Sequence, residues 1–276
     1  RPEAILQISM GEDTPAIIKA TAFSNGLFTL DPNALALLEE QLNSDDSMLR
    51  WGATRGLNYA DPASQLRLAP PLLADPVRAV RIEALPIVLS LGNDTLSNAI
   101  RQQRKRVVEE YIAVQMANPE RVESHVNLGN LYRELQRFGK AEDAYKTGLR
   151  INPDFVPAYI NLSDLYRLQQ RETYAQNLLL QGIDRLPQQP MLQQMLGLSL
   201  VRQGQVSAAL PYFKNAADMA KQEVRYAITF ALALEATGQP QAAIAYLDSV
   251  QSNYVDGTEI STATATILQR MQQQNQ

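Results

Sequence analysis

The chain has 276 residues, 45% of them hydrophobic, and its 25 Lys and Arg against 29 Asp and Glu leave a formal charge of −4 at pH 7. That length can bury a sizeable core in one extended array or two domains, and the acidic balance supplies no global field for nucleic acid or an anionic membrane surface. No apolar run approaches the ~18 residues of a membrane span, and the absence of Cys excludes disulfides, thiolate metal sites and covalent haem attachment within these residues. The Arg1-Pro2 start without Met reads as a processed product or a cut piece, with no signal peptide visible.

Residues 1–117 carry a period of 31, which appears when Ile18-Lys19 and Ala22 are laid on Leu49-Arg50 and Ala53, then on Val80-Arg81 and Ala84. Before each copy stands a helix-start signal: Asp13-Thr14-Pro15, Ser44-Asp45-Asp46 and Asp75-Pro76. Partner helices are expected at 32–42, 62–73 and 95–116. Asp75-Pro76-Val77 followed by Val80-Arg81 and Ala84 resembles the HEAT repeat. The resemblance implies ladders in which an Asp and an Arg link successive helix pairs; Asp13/Lys19 and Asp75/Arg81 fit that spacing, while Ser44 replaces the acid in the middle copy. The helix around 98–116 is read as joining two arrays, with Asn118-Pro119 as the break and no Gly/Ser-rich linker.

From Val122 the period changes. Leu128, Leu131, Tyr132 and Leu135 form the apolar stripe of one amphipathic helix. Phe138-Gly139-Lys140 reads as the break, Gly being the usual left-handed residue at a helix end. A second stripe follows through Ala141, Ala144, Tyr145 and Gly148, stopped by Asn152-Pro153. The pair then recurs at a spacing of 34: Leu128 with Leu162, Leu196 and Phe230; Gly129 with Ser163, Gly197 and Ala231. Tyr132, Tyr166, Leu200 and Leu234 match in the same way, as do Ala141, Ala175, Ala209 and Ala243, and Tyr145, Leu179, Phe213 and Leu247. Period, residue types and order resemble the tetratricopeptide repeat. His125 stands where Trp is common, and Lys221 and Val255 stand where a closing Pro is expected. The stretch 258–271 reads as a capping helix, followed by a polar tail at 272–276. The fold class is therefore all-α, a right-handed α-α superhelical solenoid. HEAT-like pairs (1–117) continue into about four tetratricopeptide repeats (118–257) and a capping helix with its tail (258–276).

Catalytic chemistry is poorly supplied. His125 is the single His and sits at a position that packs a large ring, so its role is read as packing. The pairs Glu39-Glu40, Asp45-Asp46 and Glu109-Glu110 point about 100° apart on a helix and do not converge; Asp45-Asp46 is better explained as a helix start. No phosphate loop, zinc motif or calcium loop is present. Arg101, Arg104, Lys105 and Arg106 form the sharpest charge cluster, read as a solvated ion-pair stripe with Glu109 rather than a nucleic-acid patch. Trp51 is read as core.

The informative set comes from the tetratricopeptide resemblance, which implies a concave surface, lined by the first helix of each pair, that receives peptides. Carried over by position, that surface holds Glu123, Val126, Asn127, Asn130, Arg133 and Glu134 in the first repeat, and Ile160, Asn161, Asp164, Arg167 and Leu168 in the second. The third supplies Met191, Gln194, Met195, Leu198 and Arg202, and the fourth Arg225, Ile228 and Glu235. Asn127 and Asn161 suit an extended peptide backbone. Asn130 and Asn161 match two members of the carboxylate clamp that receives chaperone tails, but Val126, Met191 and Met195 replace its basic residues, which argues against an acidic C-terminal tail as ligand. The third and fourth repeats suit a helix or an apolar peptide.

The expected function is a non-enzymatic scaffold for a protein or peptide partner, with no cofactor in this chain and an oligomeric state that the residues leave open. HEAT-like pairs leading into Asn118-Pro119-Glu120-Arg121 and the first repeat also resemble the C-terminal part of bacterial multihaem c-type cytochrome proteins. That resemblance implies a periplasmic or exported setting and docking of redox or assembly partners beside haem sites upstream; without it the expectation is cytoplasmic. Nucleic-acid binding by the Arg101–Arg106 stripe is the third alternative.

Overall fold

The computed structural model describes residues 11, 13–31, 33–92, 95–254 and 257–274. Among the described residues every regular element is helical and there is no strand, so the class is the all-α solenoid expected from the two periods. The chain divides into two compact units, residues 1–119 with 134–136 and residues 120–133 with 137–276.

The first unit runs through α1 (Ala16–Ser24), α2 (Ala34–Leu42), α3 (Ser47–Gly56), α4 (Pro62–Leu72), α5 (Arg78–Ser90) and α6 (Asn98–Gln115). Helices α1, α3 and α5 begin 31 residues apart and pack side by side, with α2 and α4 as their partners. A Cβ on Gly52 would lie 2.5 Å from the Ala20 Cα, so only glycine lets α3 press this closely onto α1. Asp46 caps α3 by accepting the Met48 N–H at 2.7 Å, and Asp61 caps α4 by accepting from Ala63 and Ser64 at 3.0 Å each. The partner helix expected from Thr95 starts at Asn98 instead. The Thr95 hydroxyl is taken by the Gly92 carbonyl at 2.6 Å, and Ser97 supplies the cap. The expected start at Pro32 lies outside the described residues, and that helix begins at Ala34.

Two arginines tie this row together. Arg50 donates through Nη1 to the Ser44 and Asp45 carbonyls at 2.8 and 3.0 Å, and Arg81, one period later, does the same to Asp75 and Pro76 at 2.7 and 3.0 Å. The rest of each guanidinium reaches the next turn: Arg50 forks onto the Asp75 carboxylate at 2.8 and 3.2 Å, and Arg81 reaches Glu110 at 2.8 and 3.0 Å. The Arg81–Asp75 contact within one copy is therefore to the backbone, while the Asp75 carboxylate serves the arginine of the copy before it.

The second unit is a row of pairs: α7 (Val122–Glu134) with α8 (Phe138–Ile151), α9 (Val156–Leu168) with α10 (Glu172–Arg185), α11 (Pro190–Arg202) with α12 (Val206–Met219), and α13 (Val224–Ala236) with α14 (Pro240–Val250). A last helix, α15 (Thr258–Gln274), follows. The first helices start at 122, 156, 190 and 224, and α15 starts at 258, so it occupies the place of a fifth first helix. Ile260 and Ile267 bury there, 1% and 0% exposed, in the cluster that holds Phe230 and Leu247.

Two of the pairs are sealed by a glycine facing a ring. A Cβ on Gly129 would lie 2.3 Å from the Tyr145 ring, and one on Gly197 would lie 2.5 Å from the Phe213 ring. Where the second helix offers Leu179 or Leu247 instead of a ring, the first offers Ser163 or Ala231.

The turns differ from the reading of Phe138-Gly139-Lys140 as a break. Phe138 and Gly139 already lie within α8, and the left-handed residue is Gln136 at φ 56°. Gln170, Gly204 and Gly238 take the same conformation at φ 59°, 74° and 78°, each 34 residues after the last. Behind each, the next N–H reaches back five residues: Arg137 to Tyr132, Arg171 to Tyr166, Gln205 to Leu200 and Gln239 to Leu234, at 2.8 to 2.9 Å. This closes the exposed carbonyls of the first helix.

Candidate functional site

On a helix, residues at i, i+3 or i+4, and i+7 share a face. In α7, α9, α11 and α13 that rule groups the positions carried over above on one side of each helix, with Val126 as an exception. Two rungs cross between neighbouring first helices. Asn130 Oδ1 accepts from the Asn161 amide at 3.1 Å and from the Tyr145 hydroxyl at 2.7 Å, joining α7 to α9. Gln194 Nε2 donates to the Thr229 hydroxyl at 3.3 Å, joining α11 to α13. Asn130, Asn161 and Gln194 thus tie neighbouring first helices together.

Asn127 and Arg133 are half-buried on α7, and Glu134 is exposed at its end. Asp164 and Arg167 pair at 3.1 Å on α9, and Leu198 is half-buried on α11. Arg202 turns to Glu172 at the start of α10, at 2.7 Å, where the Ser199 hydroxyl also donates at 2.6 Å. Val126, expected on the surface, is 5% exposed and packs in the core, because it faces Gly148 on the second helix of its own pair.

Ile228 opens onto a shallow apolar groove. A groove of ≈ 390 Å³ runs between α13 and α15, with Ile228, Leu232 and Ala263 as apolar lining and Thr258, Thr262 and Thr266 along the edge. Arg270 closes one end and pairs with Glu235 at 3.0 Å. The α15 residues were missed in the sequence, where this helix was read only as a cap. The signal for them is the 34-residue step from Val224 to Thr258. The face therefore grades from amides and charges at α7 and α9 to aliphatic side chains at α11 and α13.

Elsewhere the sequence candidates have structural partners. Trp51, read as core, is half-buried, with the Arg55 guanidinium 5.3 Å from its ring centre. Burial pushes the neighbouring Glu83 carboxyl up, against the pull of Arg55 and a hydrogen bond from Trp51. Arg101 bonds the Asn98 side chain, and no ion pair joins Lys105 to Glu109; the engaged carboxylate is Glu110, held by Arg81. His125 is half-buried on α7. Among the described residues no three His, Asp or Glu converge as metal donors, and no helix is long and apolar enough to cross a membrane.

With that geometry in hand, the comparisons are specific about the repeat. Residues 122–155 and 195–255 match models of the tetratricopeptide repeat. Neither model describes a catalytic domain. No curated protein matches the chain. Among solved structures, a crystal structure of MamA is 18% identical, with 57% of this chain and 95% of that one covered and a TM-score of 0.44. YrrB, described as a tetratricopeptide protein with an unusual peptide-binding site, is 18% identical over 60% of this chain and 85% of its own, with a TM-score of 0.45. MamA (41-end) from Desulfovibrio magneticus RS-1 is 14% identical over 62% and 94%, with a TM-score of 0.43.

Proposed function

We propose that the second unit is a protein-interaction scaffold. It holds a segment of a partner protein along the face shared by α7, α9, α11, α13 and α15, with no catalytic step. The observation that carries this reading is the groove between α13 and α15. Its apolar lining continues the aliphatic side of the face through Leu198, Ile228 and Leu232, and Leu232 is 38% exposed. Exposed aliphatic side chains in a concave setting gain by burial under a partner's apolar residues. The segment that fits presents apolar side chains to α13 and α15 and hydrogen-bonding groups to the amides of α7 and α9. The first unit we assign to the HEAT type, on the Arg50–Asp75 and Arg81–Glu110 ladder between successive copies.

The test is a peptide selection against the full chain, followed by titration of the selected peptide. Leu232→Asp should weaken it at least about tenfold, on the order of 1.4 kcal/mol, with an unchanged melting temperature. Selected peptides that bind Leu232→Asp and Thr262→Arg as tightly as the parent chain would remove the face from consideration. The docking role beside a haem domain rests on the succession of 31- and 34-residue arrays. Cys-x-x-Cys-His sites encoded upstream would support it, and a complete upstream sequence without them would end it.

A further inference from the structure

The second helices carry a cleft of their own, on residues that the shared first-helix face does not use. It measures ≈ 570 Å³ and lies between α8 and α10, over Leu162 and Tyr166 of α9. Its floor is aliphatic, with Leu149, Leu162 and Leu178. Lys146 and Arg150 stand on the α8 wall, Tyr174, Asn177 and Gln181 on the α10 wall, and among the described residues no Asp or Glu lines it.

The charge around it is uneven. Lys146 and Arg171 share a single carboxylate, Glu142, each at 2.7 Å, while the Tyr166 hydroxyl donates to it at 3.0 Å. Two cations on one acid leave an excess positive charge beside the cleft. Arg150 adds a second and donates to the neutral Thr147 hydroxyl at 2.7 Å. This is a cationic site on a chain whose formal charge is −4. The exposed ring is held in place: Tyr174 is 58% exposed, but its inner side meets Arg171 at 4.4 Å and Tyr166 at 5.7 Å.

We propose that this cleft is a second docking surface, for a short acidic segment of a partner protein that seats one aliphatic or aromatic side chain between two carboxylates. The apolar side chain covers the three leucines, the flanking carboxylates meet Lys146 and Arg150, and the Asn177 and Gln181 amides bond the segment's main chain. From Tyr174 to Gln181 the wall rises about 10 Å, the length of about three extended residues. A single-stranded nucleic acid fits less well. Tyr166 is buried, so only one ring face is open for stacking.

The experiment uses the full chain and a fluorescein-labelled peptide, Gly-Asp-Glu-Leu-Glu-Asp-Gly, followed by anisotropy. Saturable binding below about 1 mM is expected, weakening as salt rises. Asn177→Trp, which fills the cleft from an exposed position without changing charge, and Arg150→Glu should each weaken it at least about tenfold. Leu232→Asp, on the first-helix face, should leave it unchanged, so this proposal can fail while the proposed function stands, and the reverse. No saturation, equal binding of a peptide with Lys in place of every acid, or indifference to both cleft variants would overturn it. So would a thymidine decanucleotide that binds with the same sensitivity to Asn177→Trp, since the cleft would then be a nucleic-acid surface.

Discussion

At Gly129 the missing side chain is occupied space. The Tyr145 ring lies where its Cβ would be, and the same holds for Gly197 and Phe213. Gly129→Ala should therefore cost about 1–3 kcal/mol by overpacking, read by urea denaturation. Adding Tyr145→Leu, the combination already found at Ala231 and Leu247, should recover part of that loss. The left-handed turn residues give the opposite sign. Gln136 and Gln170 stand where Gly204 and Gly238 have no Cβ to strain, so Gln136→Gly and Gln170→Gly should each stabilise by roughly 0.5 kcal/mol. Glu142 supplies a pH signature. Burial opposes its ionisation, but hydrogen bonds from Lys146, Arg171 and Tyr166 outweigh it and lower its pKa from 4.5 to about 2. A carboxylate lowered in the folded state adds stability above its unfolded pKa, and that contribution is lost as pH falls towards the folded value. The stability difference between the parent chain and Glu142→Gln should be constant above about pH 5 and should vanish near pH 2, followed by melts across that window.

At the scale of elements, periodicity made the helices legible and left their ends uncertain. The starts of α1, α3 and α5, and of α7, α9, α11 and α13, follow the 31- and 34-residue spacings. The ends depend on local competitors that a stripe pattern does not weigh. Thr95 spent its hydroxyl on Gly92, which moved the start of α6 to Asn98. Gly139 looked like a helix end yet sits inside α8, because the Tyr132–Arg137 hydrogen bond closes α7 earlier. The arginine ladder was legible as a spacing but not as a pairing, since its carboxylate comes from the following copy. Arg50 and Asp75 have side chains only 12% and 6% exposed, so Arg50→Ala leaves a buried acid unpaired and should cost about 2 kcal/mol, measurable as a lower urea midpoint.

For the molecule as a whole, the second unit is a stack in which each helix pair is buried by its neighbours. The candidate face was readable as positions, and its chemistry only in part. Asn130 and Asn161 were named for a ligand, yet they bond each other across 31 residues of chain, a contact that helical spacing within one element cannot reveal. The groove at Ile228 depended on recognising α15 as the next first helix. Removing residues 258–274 should expose Phe230 and Leu247, lower the melting temperature and promote association, detected by light scattering.

The matched pairing of small residues and rings has a consequence for how such an array can be rearranged. Tyr145 lies where a Cβ on Gly129 would be, and at the matching positions of the next pair stand Ser163 and Leu179. A first helix transplanted alone would bring the wrong lock for the key beside it. The piece of this chain that can be duplicated, deleted or exchanged without repacking is the helix pair, and its natural seams are the turns between pairs.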